Sequence, residues 1–185
     1  MEQPSLSRYE QDPDGRVVIE VAAREARELF NRFDRFAPYP KKDLSQDLAD
    51  YLVDCAREIG RAPFRIQILL DEPNPALPDP DIARGLHGFF RHQARQERRL
   101  HRRLLRRFLL LTGLGLLLLA GTILLSPYAT TAPLGLRVTF EGLVVAAWIA
   151  LWEGTSRLLF ETPPIRQNIR VYRRLAEADV RVGPG

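Results

Sequence analysis

The sequence predicts an α+β membrane protein: a small β-α-α-β cytoplasmic domain, a long helix continuing into a two-helix transmembrane hairpin, and a C-terminal amphipathic helix. Three observations carry that prediction. The run FLLLTGLGLLLLAGTILL, from Phe108 to Leu125, contains no charged residue; as a helix it would extend about 27 Å, close to the ~30 Å hydrocarbon core of a bilayer. The segment before it, RHQARQERRLHRRLLRR, carries eight arginines against one glutamate, which places that side in the cytoplasm, since positive flanks stay inside. Residues 16–71 alternate short β-branched stretches with stretches of helical periodicity, the pattern of a small mixed domain.

Charge is segregated along the chain. Residues 1–84 carry 12 basic and 17 acidic groups, 85–107 carry 8 and 1, 108–162 carry 2 and 3, and 163–185 carry 5 and 2. The overall net charge of +4 therefore hides an acidic N-terminal half and a basic block beside the apolar run. That block merges into lipid and has no interleaved aromatic stacking platform, so anionic headgroups are its expected partner and nucleic acid is not. The single Cys55 cannot close an internal disulfide, which fits a reducing compartment. MEQPSLSRYEQDPDG lacks the apolar core of a signal peptide, so insertion is expected to start from the internal apolar runs.

Taken in order, residues 1–15 read as a polar tail, ordered only if a partner holds it. The domain spans 16–71. Arg16 to Val21 is a short β-branched strand. In AAREARELFNRF, residues Ala22, Ala26, Leu29, Phe30 and Phe33 fall at helical spacing, which predicts an amphipathic helix ending near Asp34. FAPYPKK is a loop. Asp43 with Gln46 is a capping pattern, followed by the stripe Leu44, Leu48, Leu52, Cys55, Ala56 and Ile59, closed by Gly60. Phe64 to Leu70 is a second strand. Two strands make a marginal sheet, so either the membrane-proximal helix supports it or neighbouring copies complete it.

A Pro-rich linker (72–80) leads to a basic juxtamembrane helix (81–107), the first transmembrane helix (108–126), a short loop (127–135) and the second transmembrane helix (136–160). After Pro163 and Pro164, residues 163–178 pattern as a basic amphipathic helix suited to the membrane surface. Arg98, Arg99, Arg102, Arg103, Arg106 and Arg107, with Arg170, Arg173 and Arg174, are the expected headgroup contacts.

In the second transmembrane helix Gly142, Ala146, Ala150 and Gly154 recur every four residues, a ridge against which another helix can pack closely. The first answers with Gly113, Ala120 and Gly121. These ridges either pack the hairpin on itself or meet another subunit. Arg137 with Glu141, and Glu153 with Arg157, are ion-pair candidates one turn apart inside or at the edge of the bilayer. His87, His92 and His101 do not share the helical face that i, i+4 metal ligands require. The apolar spans contain no His, Cys or Met, so no haem or iron–sulfur cofactor and no metal is expected there. Cys55 reads as a small core residue, and no glycine motif follows a strand.

LFNRFDRFAPYPKKDLSQDLADYLVDCARE and VVAAWIALWEGTSRLLFETPPIRQNIRVYRRLA resemble a group of bacterial two-helix inner-membrane proteins with a small N-terminal cytoplasmic α+β domain, to which no activity is assigned. The resemblance covers most of the chain. It implies a bacterial inner membrane, two passes and both termini in the cytoplasm, and it supplies no catalytic residue. The expected function is non-enzymatic: an oligomeric scaffold or small accessory subunit of a larger membrane complex that presents an acidic cytoplasmic domain, with copies of itself or other membrane subunits as partners. The alternative is a homo-oligomeric ion channel or transporter lined by the second transmembrane helix.

Overall fold

The structure, a computed structural model, describes residues 8–34, 38, 42–72, 79–129 and 133–185; at 79, 128, 129, 157, 161 and 162 it describes the backbone alone. Two units result. One combines Met1–Gln96 with Asn168–Gly185, and the other is Glu97–Gln167. The second unit is thus an insertion in the chain of the first.

The first unit is built on a three-stranded parallel sheet in the order β1-β2-β3. Strand β1 (Val17–Glu25) is followed by helix α1 (Gln46–Ile59) and strand β2 (Phe64–Glu72), with Val17 opposite Phe64, Ile19 opposite Ile66 and Val21 opposite Ile68. Strand β3 (Asp179–Pro184) lines up on the other side of β2, Ile66 facing Val180 and Ile68 facing Val182. Parallel neighbours need a crossover. The first is α1; the second contains all of α2 (Asp79–Ala129) and α3 (Leu134–Glu177).

Alternation along the strands turns Val17, Ile19 and Val21 of β1 and Phe64, Ile66, Ile68 and Leu70 of β2 toward the helices. There they join Leu48, Leu52 and Ile59 of α1, Ile82, Leu86 and Phe90 of α2, and Val171, Leu175 and Ala176 of α3 in one core. Cys55 is buried in it. The opposite face leaves Glu20, Ala22, Asp71 and Arg181 exposed, whereas parallel sheets are normally covered on both sides. Gly60 closes α1 with φ of 68°, a left-handed conformation that a glycine adopts without Cβ strain.

Several expectations need correction. The predicted helix after β1 is absent: β1 continues to Glu25, and only a 3-10 turn, Ala26–Leu29, follows. Pairing of Ala22, Ala23 and Glu25 with Leu69, Leu70 and Glu72 outweighs the helical spacing and leaves too few residues for an α-helix. Phe33, a supposed stripe residue, is 98% exposed. The cap of α1 is Ser45 and not Asp43, and Leu44 lies before the helix in an isolated bridge to Phe30. The sheet does not need a neighbouring copy, because the chain's own C-terminal residues supply the third strand. Residues 163–178 are not a separate surface helix: α3 runs through Pro163 and Pro164 to Glu177, and its apolar face lies in the domain core. Within the N-terminal tail, residues 8–15 are held by the domain itself, Tyr9 donating its hydroxyl to Glu58 at 2.7 Å and Val18 N–H bonding Glu10 O at 2.8 Å. Residues 1–7, most of the expected loop at 36–42 and linker at 72–80, and 130–132 of the expected turn at 127–135 lie outside the described residues; that turn is shorter than expected, because α2 runs on to Ala129 and α3 starts at Leu134.

The second unit consists of the C-terminal part of α2, from Glu97, and most of α3. Both helices are long and apolar enough to cross a membrane, and only 11% and 6% of their most apolar stretches are buried within the chain. A core helix of a soluble domain would be mostly buried. The basic block and the first apolar run lie in one helix, as expected of a long helix that continues into the hairpin.

Candidate functional site

In the hairpin the two helices meet through small residues. A Cβ added at Gly115 would come within 2.8 Å of Leu151 Cγ and 3.1 Å of the Ala147 carbonyl oxygen, and one added at Gly154 within 3.1 Å of Thr112 Oγ1. Ala147 is fully buried. Ala147, Leu151 and Gly154 follow one another at spacings of four and three, one face of α3, so this face packs against α2. Of the predicted ridge, Gly154 belongs to the contact. Gly113, Gly121 and Gly142 have open space where a Cβ would stand, Ala146 is exposed and Ala150 is half-buried. Gly115 and Ala147 were not singled out in the sequence, although an Ala147, Leu151, Gly154 face is legible as an i, i+4, i+7 series.

Away from that contact face of α3, Arg137, Glu141, Val145, Trp148 and Trp152 are all exposed. Among the described residues no ion pair joins Arg137 to Glu141. Arginine preceding glutamate by one turn is the weaker order for such a pair, because it opposes the helix dipole. Glu153 is half-buried, and the side chain of its candidate partner Arg157 lies outside the described residues. Arg98, Arg99, Arg102, Arg103, Arg106 and Arg107 are exposed along α2.

The C-terminal arginines divide. Arg170 is exposed, and Arg173 is exposed and paired with Glu177 at 3.0 Å. Arg174 is a correction: its guanidinium donates to the carbonyl oxygens of Gly60 and Ala62 and lies over the Phe64 ring at 4.7 Å. It caps the turn after α1 and is not free for a headgroup.

In the soluble unit the polar face of the sheet is centred on Arg65, whose side chain is only 9% exposed. It pairs with Asp12 of the N-terminal arm at 2.8 Å and with Asp179 of β3 at 3.1 Å. Arg16 lies 3.5 Å from the same Asp179. A buried guanidinium must be paired, and here its partners come from segments on either side of the hairpin in the sequence. The Arg16 and Asp14 backbone N–H groups and the Arg65 charge hold the Asp12 carboxyl below its ordinary range. Burial and the hydrogen bond to Glu58 push the Tyr9 phenol up. His87 Nε2 is 2.9 Å from the Ala178 carbonyl oxygen.

A cleft of about 950 Å³ opens beside β1 and the first turn of α1. Its polar side chains, among them Glu20, Arg27, Glu28, Arg32 and Asp47, are exposed on the rim. Tyr51 lines the same cleft, and burial pushes its phenol up.

Folding also redistributes charge. Residues 1–84 alone are net −5, but the unit as folded adds Arg91, Arg95 and four arginines against two acids from 168–185, which brings it to −1. The domain is therefore nearly neutral, a correction to the acidic reading. No family model matches the chain, and no curated protein or solved structure matches it either.

Proposed function

We propose that the chain is a two-pass integral membrane protein of the bacterial inner membrane, both termini cytoplasmic, that acts as an oligomeric scaffold or small accessory subunit and carries no catalysis of its own. One observation carries the topology: β1, β2 and the start of α2 share a core with the end of α3 and β3. A domain completed by segments on both sides of the insertion requires both to emerge on the same side, so the number of crossings is even. The two apolar helices, nearly unburied within the chain, supply two. The eight arginines of 85–107 against one glutamate favour the cytoplasm for that side, with exposed side chains suited to anionic headgroups. A scaffolding role rests on where the distinctive residues stand. They are packing surfaces and charge, and function has to be argued from a site.

Impermeant maleimide labelling tests the topology in spheroplasts. Leu134→Cys is expected to label in intact spheroplasts and Gly185→Cys only after permeabilisation, while the buried Cys55 stays silent. Labelling of Gly185→Cys from outside overturns the reading. A channel lined by α3 is favoured by the exposed Glu141, which no ion pair holds among the described residues; it requires Glu141→Gln to alter ion flux in liposomes, and unchanged flux removes it.

A further inference from the structure

We propose that the outer edge of β1 takes up an extended segment of another polypeptide as an added antiparallel strand centred on Ala22. The inference deepens the scaffold reading above by naming what the soluble unit holds. β1 is an outer strand of the sheet. Val17 donates its N–H to Pro63 O, toward β2, so in the parallel ladder the main-chain groups of the odd-numbered residues face β2 and those of Val18, Glu20, Ala22 and Arg24 face outward. Three bonds agree with that alternation. Val18 N–H donates to Glu10 O at 2.8 Å, the Glu20 carbonyl accepts the Tyr51 hydroxyl at 3.2 Å, and Arg24 N–H donates to Glu28 Oε2 at 3.1 Å.

The occupant is identified by what this edge already accepts. Its first part is taken by the chain's own arm, which runs antiparallel to β1 where Gln11 meets Val17 and then leaves it, Tyr9 reaching Glu58 of α1. Farther along, the Tyr51 hydroxyl stands where a neighbouring N–H would, and the Glu28 carboxylate where a neighbouring C=O would. Between them, nothing among the described residues bonds the outward N–H and C=O of Ala22. A donor and an acceptor on one residue, in line with a stretch that already pairs, are matched by another main chain. The Glu20 carbonyl keeps a second lone pair for it. The cleft beside β1 gives the added strand room. Its side chains opposite Val21 and Ala23 share their face of the sheet and enter the cleft next to Leu48 and Tyr51, which calls for apolar residues. Those opposite Glu20 and Arg24 meet a negative and a positive charge. From its N-terminus an antiparallel partner therefore reads acidic, apolar, any residue, apolar, basic.

The test uses the full chain in detergent micelles and two fluorescent peptides, Glu-Val-Thr-Val-Lys and its charge-reversed form Lys-Val-Thr-Val-Glu, with binding read by anisotropy. Wild type is expected to bind the first about fivefold more tightly, because reversal turns two opposite-charge pairs into two like-charge pairs. In a chain carrying both Glu20→Lys and Arg24→Glu the order is expected to invert. N-methylation of the central threonine removes the donor to Ala22 without altering the protein, and is expected to weaken binding about tenfold. The idea is overturned if neither peptide binds wild type, if the two bind alike, if the folded double variant keeps the wild-type order, or if N-methylation changes nothing. It is also overturned if a peptide binds only after residues 1–7 are deleted or a second copy is displaced, because the chain then holds its own edge. Alkaline carbonate extraction separates the two levels: a chain released from the membrane sinks the membrane reading, whereas a retained chain that ignores both peptides sinks only this one.

Discussion

The two units bury apolar side chains by opposite rules. In the soluble unit Leu175 is 0% exposed, whereas in the hairpin Leu117 is 70% and Trp152 72% exposed. The first unit is closed by large side chains whose removal from water drives folding. The second makes its internal contact through Gly115, Ala147 and Gly154, and leaves its large residues outside. Lipid is as apolar as leucine, so close backbone approach, and not burial of bulk, holds helices together there. The same residue type therefore means opposite things in the two halves of one helix: a leucine in α3 is core at 175 and surface at 159.

The sharpest way to break this contrast is to truncate one leucine in each unit. Leu175→Ala should cost about 2–5 kcal/mol as a cavity in a packed core, read as a lowered urea midpoint of the domain in detergent. Leu117→Ala should change stability by less than about 0.5 kcal/mol. Equal losses would mean that the hairpin is packed like a soluble core.

The reverse experiment adds volume. Gly115→Val should cost about 1–3 kcal/mol by overpacking against Leu151 and the Ala147 carbonyl, whereas Gly142→Val, where space is open, should be near neutral for the hairpin. Steric-trap unfolding in bicelles distinguishes them, and a harmless Gly115→Val would contradict the contact face.

The smallest effect concerns charge in the soluble unit. The folded Asp12 carboxyl lies below its ordinary 3.8, so the stability it contributes is present above that value and is lost as pH falls through the depressed one. Asp12→Asn should flatten the acid limb of the urea midpoint measured from pH 5 to pH 2. An unchanged limb would show that the Asp12 and Arg65 pairing contributes nothing measurable.

Much of the soluble unit is legible in local pattern. RVVIEV and FRIQILL are strands, the stripe from Leu48 to Ile59 ending at Gly60 is a helix, and the uncharged run from Phe108 onward is a membrane-length segment. The candidate site is less so. Gly142 and Ala146 look like the packing ridge because their spacing is regular, but period alone does not say which of two small-residue faces meets α2. Arg65 interrupts an apolar strand, yet its need for partners is visible only once the strand is central.

The sequence by itself determined where charge, apolar length and helical or strand period lie, because these are properties of neighbours along the chain. Tertiary structure alone decided that DVRVGP is a strand, since its six residues gain their ladder from β2, with Asp179 reaching Arg65 across 114 positions. It also decided that β1 runs on through Ala22, that Arg174 caps a turn, and that the domain is near neutral. Each of those outcomes depends on a partner distant in sequence, and hydrogen bonds and ion pairs are satisfied by proximity in space.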